Sequence, residues 1–375
     1  MRIGLNLLHA MPEIGGGWNY INRLVLALGE CDQKNTYICF VTEKSAILVP
    51  DRSNFQKVFV GINPVSRLQR ILYENTILQM AVRKYCLDLV HWFANTGPIV
   101  KTIPSVVSVY DLQVFENPAN FTMAKRWYLR IMISYTVRNA LMLLPMSQST
   151  AQDLYKRLNA NVARMVVIPP VIDTFFKPDN ANNVADLRRK YDLPDKFWLY
   201  VAHFYSHKNH LRLIQAYHQI KSAGIVPWQL VLRGDDHGAK ENVWQIITKL
   251  KLEKEIIFLP RLDEVELPAL YSAASALVFP SLYEGCGMPV LEAMACGCPV
   301  IASDIPSIRE YGRDAVMFFD PLKSDSITSQ MRMLQENSQK RIEFGRLGIE
   351  RVKEYRPECV VQKLLDTYEK VARKQ

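Results

Sequence analysis

Two successive series of short apolar runs, each followed by a longer amphipathic stretch, limit this 375-residue chain to a small set of folds. A parallel sheet covered by helices requires that alternation, because each strand needs a crossover that packs back onto the sheet. The first series predicts strands at 2–8, 36–41, 87–92, 105–109, 142–146 and 164–168. The second predicts strands at 197–202, 229–234, 256–259, 276–279, 299–302 and 316–318. Between them, residues 177–184 hold Pro178, Asp179 and three Asn, a linker composition. The chain is too long for one ordinary core. The expected architecture is therefore α/β, with two facing doubly wound domains and ligands at the carboxyl ends of the strands, in the cleft between them. The expected boundaries are 1–175 and 185–356, with a helix at 357–375 packing back towards the first domain.

Charge is unevenly placed. Residues 1–170 hold 18 Lys and Arg against 10 Asp and Glu; the remainder holds 28 against 27. Nearly all of the +9 net charge thus lies in the first half, which suits an anionic surface, a nucleic acid or a phosphorylated acceptor, or plain solvation without a partner. No run approaches the roughly 20 apolar residues of a membrane span. The start, Met1-Arg2-Ile3-Gly4-Leu5-Asn6, reads as a first strand and not as a signal peptide. Seven scattered cysteines suggest reduced, buried thiols and a cytoplasmic protein. Cys296 and Cys298 have no nearby Cys or His that would make a metal site.

The chemistry concentrates at residues 280–299, PSLYEGCGMPVLEAMACGCP. An apolar strand runs into a glycine-rich turn and then a helix, with Pro289 near its first position and Gly297 just past its end. Gly285, Cys286, Gly287, Met288, Pro289 and Val290 form an anion site built from backbone amides and the helix dipole. Glu284 before the turn suits sugar-ring hydroxyls, and Glu292 on the helix suits a ribose diol. Two acids flanking a phosphate turn match a ligand with a diol at each end and a diphosphate between.

This segment resembles the signature of retaining glycosyltransferase family 4 (glycosyl transferases group 1). The resemblance extends over residues 197–217, 267–275, 299–303 and 167–178, and more weakly over the N-terminal glycine loop. It implies the GT-B fold, with an acceptor-binding first domain and a nucleotide-sugar-binding second domain. It also implies roles for single residues. Lys208 aligns with the lysine that neutralises the donor diphosphate. Many relatives carry Arg five residues earlier, where this chain has His203, and the adjacent His207 is a substitute cation or a surface histidine. Gly234 resembles the strand-end glycine near the nucleoside, and Arg261 and Leu262 fall in the loop bordering the base.

In the first domain, Gly16 and Gly17, with Gly15 before them, look like the loop where acceptor or diphosphate meets the first helix. At Tyr110-Asp111 relatives commonly have His-Asp. A phenol with a reference pKa near 10 is a poor base at neutral pH. Asp111 reads either as the acceptor-activating group or as the cap of the following loop. His9 and His91 either face the cleft or are buried and satisfied. The stretch 124–144 interleaves Lys125, Arg126, Arg130 and Arg138 with Trp127, Tyr128, Leu129, Ile131 and Met132. It is a helix that rests on an anionic membrane at its inner face, or a core helix with a charged outer side.

The activity these features predict is metal-independent, retaining hexosyl transfer from a nucleoside diphosphate sugar to a hydroxyl of a polysaccharide or lipid-linked glycan. UDP-glucose and GDP-mannose both fit, with the UDP donor preferred. No cofactor or nucleic-acid partner is expected, and Asp235-Asp236 lacks the Asp-x-Asp spacing of a metal motif. The alternative is a non-catalytic nucleotide-sugar-binding subunit of a polysaccharide assembly complex. A pyridoxal-dependent phosphorylase would need a longer chain and a lysine in another context. A dinucleotide oxidoreductase would need the G-x-G-x-x-G spacing that residues 15–17 lack.

Overall fold

The computed structural model describes residues 1–11, 16–63, 65–93, 95–99, 104–116, 118 and 121–373. Gly15 lies outside them. The chain divides into two compact units: Met1–Asp173 with Tyr355–Gln375, and Thr174–Glu354. The first unit holds 23 Lys and Arg against 14 Asp and Glu, the second 23 against 23. All of the net positive charge therefore belongs to the first unit.

In the first unit β1 (Arg2–Asn6), β2 (Thr36–Val41), β3 (Phe55–Phe59), β4 (Leu89–Trp92), β5 (Ser105–Val109) and β6 (Met142–Pro145) form a parallel sheet. Its order is β3-β2-β1-β4-β5-β6. In the second, β7 (Phe197–Val201), β8 (Gln229–Arg233), β9 (Ile256–Leu259), β10 (Ala276–Phe279), β11 (Val300–Ser303) and β12 (Val316–Phe319) take the order β12-β11-β10-β7-β8-β9, again all parallel. The central strands are continuous apolar runs because both faces are covered by helices. Each unit's strand order reverses beside its first strand, between β1 and β4 and between β7 and β10. Loops leaving those carboxyl ends diverge and open a crevice there.

Three expectations are corrected. Residues 164–168 are not a strand: Val162–Arg164 is a 3₁₀ turn, and only the Met165–Leu143 bridge pairs with β6. The amides of Val166 and Ile168 still bond to β6, but Pro169 and Pro170 have no N–H with which to extend a ladder. The linker reading of 177–184 ends early, since the Asn180 side chain accepts the Asn183 amide and starts the helix Ala181–Tyr191. Of the seven cysteines, four are buried, whereas Cys31, Cys86 and Cys359 are exposed. β3, unpredicted, is an edge strand with Gln56, Lys57 and Phe59 exposed, so its apolar signal is weak.

The last helix, Pro357–Ala372, packs on the helix Gly16–Cys31 within the first unit. His91 of β4 ties it to the sheet: Nδ1 lies 2.6 Å from the Tyr368 hydroxyl and Nε2 2.8 Å from Ser108 Oγ. His91 is therefore buried and satisfied. No helix among the described residues is long and apolar enough to cross a membrane.

Burial lowers the pKa of His9, His91 and His210 to about 3. Each stays neutral when folded but titrates near 6.5 when unfolded, so below that pH the unfolded chain binds more protons. Stability should be full above pH 6.5 and fall beneath it, by about 1.4 kcal/mol per pH unit for each histidine. Thermal melts at pH 7.5 and 5.5 check this. The midpoint should drop at pH 5.5, and equal midpoints would show that these imidazoles are not held neutral.

Candidate functional site

The switch point of the second unit sets the loop after β7 beside the loop after β10. From β7 the chain passes Ala202 and His203 and reaches Lys208 in the 3₁₀ turn Ser206–Lys208. Asn209 then adopts φ +62 and leads into the helix His210–Ser222. From β10 it runs through 280–287 into the helix Met288–Ala295. Leu282 N–H donates to the His207 carbonyl at 2.8 Å, and Asn209 Nδ2 donates to the carbonyls of Pro280 and Pro321. These bonds hold the two loops together without any ligand.

Lys208 Nζ and Glu284 Oε1 are 2.5 Å apart, both side chains largely buried, and the ammonium lies over the Phe279 ring. The ion pair thus joins two residues that the sequence had given separate tasks. Glu292, the single charged residue of its helix, is also buried, and Oε2 accepts the Tyr271 hydroxyl at 2.7 Å. Tyr271 lies on the helix Leu267–Ala273 and no sequence argument singled it out. An apolar helix carrying one buried acid is a signal that a partner is needed.

Gly287 starts the Met288–Ala295 helix at φ +69, and a Cβ there would come within 2.2 Å of Ile308 Cδ1. Only glycine fits. Two of the amides read as an anion site are engaged inside the turn: Val290 N–H donates to the Gly287 carbonyl at 2.9 Å, and Met288 N–H faces the Cys286 thiol. Pro289 sits in the first turn and brings no N–H. Gly285 is partly exposed, and burial pushes the Cys286 thiol up to about 12.

Gly234 ends β8 against the exit of β7, where a Cβ would meet the Ala202 carbonyl oxygen at 2.0 Å. Beside it, His203 Nδ1 accepts the Asp235 amide at 3.1 Å, and burial lowers its pKa. His203 is a neutral imidazole, not a replacement for a guanidinium. Tyr205 stacks between His207 and His237, and the ring of His203 stands edge-on to His237. Burial, then the charge of Lys208, lowers the pKa of His207. Leu262 is buried, with its carbonyl 3.4 Å from Arg233, while Arg261 is exposed. Arg233, at the end of β8, was missed because it reads as a strand residue.

In the first unit Gly16 and Gly17 open the helix Gly16–Cys31, and a Cβ on Gly16 would meet nothing. The Tyr110 hydroxyl is buried without a hydrogen-bond partner among the described residues, and its ring meets Tyr20 edge-on. Burial, then Tyr20, pushes it well above 10. Asp111 Oδ1 accepts the Gln113 amide at 3.0 Å, the capping geometry of the short helix Gln113–Glu116. Asp236 likewise accepts the amides of Gly238 and Lys240 before the helix Lys240–Lys249. Among the described residues no three His, Cys, Asp or Glu gather as a metal site.

Two six-stranded parallel sheets of this topology match the GT-B fold of solved glycosyltransferase structures. The chain matches the model of the family "Glycosyl transferases group 1" over residues 184–351, nearly all of its second unit. It is 25 % identical over 330 residues to O-antigen chain mannosyltransferase RfbU of Salmonella typhimurium, covering 86 % of this chain and 87 % of that one. To O-antigen chain mannosyltransferase B of Escherichia coli it is 27 % identical over 70 % of each chain. Among solved structures it resembles sucrose-phosphate synthase of Thermosynechococcus elongatus, with a TM-score of 0.80 and 20 % identity over the full length of both. The Anabaena protein Alr3699/HepE, in complex with UDP and glucose, matches at TM-score 0.76 and 17 % identity over 98 % of this chain and 99 % of that one.

Removing one member of a buried ion pair leaves the other charge uncompensated, at a cost of roughly 3–5 kcal/mol. Lys208→Ala and Glu284→Ala should each destabilise the chain, and the double variant should cost less than their sum, with coupling of roughly 1–3 kcal/mol. Additive losses in denaturant melts would show that the pair is not formed in solution.

Proposed function

We propose that the chain transfers a mannosyl group, with retention, from GDP-mannose to a hydroxyl of a growing polysaccharide or lipid-linked glycan. The observation that carries this is the convergence of Lys208, Glu284 and the Glu292-bearing helix at one switch point. Glu292, oriented by Tyr271, takes the ribose diol, and Glu284 takes hydroxyls of the hexose. Lys208, paired with Glu284 when no donor is bound, turns its charge to the diphosphate as the leaving group departs. His203, whose Nδ1 is occupied as an acceptor, offers a neutral N–H to the same group. No side chain is cast as a covalent nucleophile. Departure and attack take place on the same face of the sugar, with the acceptor hydroxyl passing its proton to the leaving diphosphate.

The two relatives aligned over most of their length are mannosyltransferases by name, which favours the mannose donor over the UDP donor preferred from sequence. The UDP-bound neighbour shares the fold at 17 % identity and carries no weight on the base. The departures at His203 and Tyr110 from the residues common in relatives favour the second reading, a nucleotide-sugar-binding subunit without turnover.

Thermal shift against GDP-mannose, UDP-glucose and ADP-glucose tests the donor, because a ligand that binds only the folded chain raises the midpoint. GDP-mannose should give the largest shift. Glu292→Ala should abolish it and Tyr271→Phe should reduce it. An unchanged shift in Glu292→Ala would refute the ribose role. Release of GDP with any acceptor or with water separates the enzyme from the binding subunit.

We further infer that the first unit rests on an anionic membrane through the helices Arg67–Asn75, Ile77–Lys84 and Met123–Asn139. Leu68, Leu72, Met80, Trp127 and Ile131 are exposed on them, beside Arg67, Arg83, Lys84 and Lys125. Arg67 lies over the Tyr128 ring, which links the first and third helices. The only acid in residues 65–85 or 121–139 is the largely buried Glu74. Apolar tips among cations suit an anionic bilayer surface. The protein should float with phosphatidylglycerol vesicles and not with phosphatidylcholine ones, less so at high salt. A Leu72→Ser/Trp127→Ser variant should stay in the pellet fraction, and flotation equal to that of the unaltered chain would rule out this face.

A further inference from the structure

β8 ends on a cation, Arg233, that the fold itself leaves largely unused. Its register partner on β7 is Val201, and its backbone carbonyl accepts the Ala202 amide at 2.9 Å. The side chain is partly buried, and Nη2 lies 3.4 Å from the Leu262 carbonyl in the loop after β9. That long contact is its one hydrogen bond among the described residues, and no carboxylate there forms an ion pair with it. Nε is buried without a partner. The charge of Arg233 reaches both the Tyr271 hydroxyl and the His203 ring, so it sits among the groups of the candidate site. A guanidinium half out of water with most of its N–H donors unspent is costly, and a ligand that accepts them offsets the cost.

Strand order decides which part of the donor meets this cation. Along the carboxyl edge of the second sheet the strands run β10-β7-β8-β9. Glu284 follows β10, Lys208 follows β7, Arg233 ends β8 and Leu262 follows β9. A donor with its hexose at Glu284 and its diphosphate at Lys208 therefore carries its base away from β10, over β8 and β9. Resting on the GDP-mannose reading above, we propose that Arg233 reads the guanine of the donor and selects GDP over UDP and ADP. Guanine presents O6 and N7, two acceptors on one edge, and a guanidinium donates to both through parallel N–H groups. Adenine sets an amino donor beside N7, where it would face the N–H groups. Uracil offers O4 as the single acceptor on the corresponding edge. The bond to Leu262 holds the guanidinium towards the loop after β9 and away from Lys208.

Isothermal titration of the full chain with GDP, UDP and ADP reads base selection directly. The unaltered chain should bind GDP about tenfold or more tightly than the other two, the discrimination of one bidentate contact. Arg233→Met and Arg233→Lys should each weaken GDP binding about tenfold or more and change UDP and ADP binding by less than about twofold, which erases the preference. The lysine variant separates geometry from charge, because it keeps the cation and loses the fork. If Arg233→Met folds poorly, Arg233→Lys carries the test. Equal losses for GDP and UDP would assign Arg233 to the diphosphate and overturn the guanine assignment. A preference for GDP that both variants keep would overturn it too, with the donor reading left standing. A preference for UDP in the unaltered chain would sink the GDP-mannose reading and this assignment with it. Loss of the GDP preference in both variants, in a chain that never releases GDP, would support the assignment and sink only the transfer reading.

Discussion

The site in the second unit depends on the parallel pairing of β7 with β10. That pairing reverses the strand order beside the first strand of the unit, so successive crossovers leave in opposite directions. Two loops far apart in sequence then share one edge, and Lys208 reaches Glu284 across 76 positions. Without the pairing, the Gly turn would be a turn, and the lysine a surface charge. The backbone bonds from Leu282 to His207 and from Asn209 to Pro280 fix the separation. The ion pair is therefore held in place before any donor arrives.

Neutral histidines are the second theme. His91 is held neutral by burial, and its two nitrogens, bonded to Tyr368 and Ser108, fasten the final helix to the first sheet. His203 is kept neutral chiefly by burial, and the Asp235 amide occupies its Nδ1. His9 is neutral by burial, yet its Nδ1 has no hydrogen-bond partner among the described residues. The same residue type thus serves as structural fastener, neutral donor and open acceptor, and the difference lies in what each nitrogen touches.

Much of the fold was legible because parallel strands buried on both faces are written as continuous apolar runs. β3 escaped because an edge strand exposes part of its surface and breaks the run. Residues 164–168 misled because they are apolar and extended but followed by two prolines. Legibility of the site was less even. The turn at 280–299, with Glu284, Gly287 and Glu292, stands out because glycine and acid in an apolar context are locally costly. Tyr271, Arg233 and His237 did not stand out, since an aromatic or charged residue on a helix or strand end is ordinary until its neighbours are known. Asp111 had two readings, and the Gln113 amide in its grasp favours the capping one.

The sequence by itself determined the architecture and the acid-bearing Gly turn, because each is set by local pattern: apolar period, glycine placement, residue type at fixed spacing. Tertiary structure alone decided which charges meet. Lys208 with Glu284, Tyr271 with Glu292, and Asn6 with Glu74 are pairs formed across 76, 21 and 68 positions. Such distances are closed by strand order, which no local pattern encodes. In the turn at 280–299, Glu284 and Glu292 are therefore not two free acids but a largely buried one and a buried one, held by Lys208 and Tyr271.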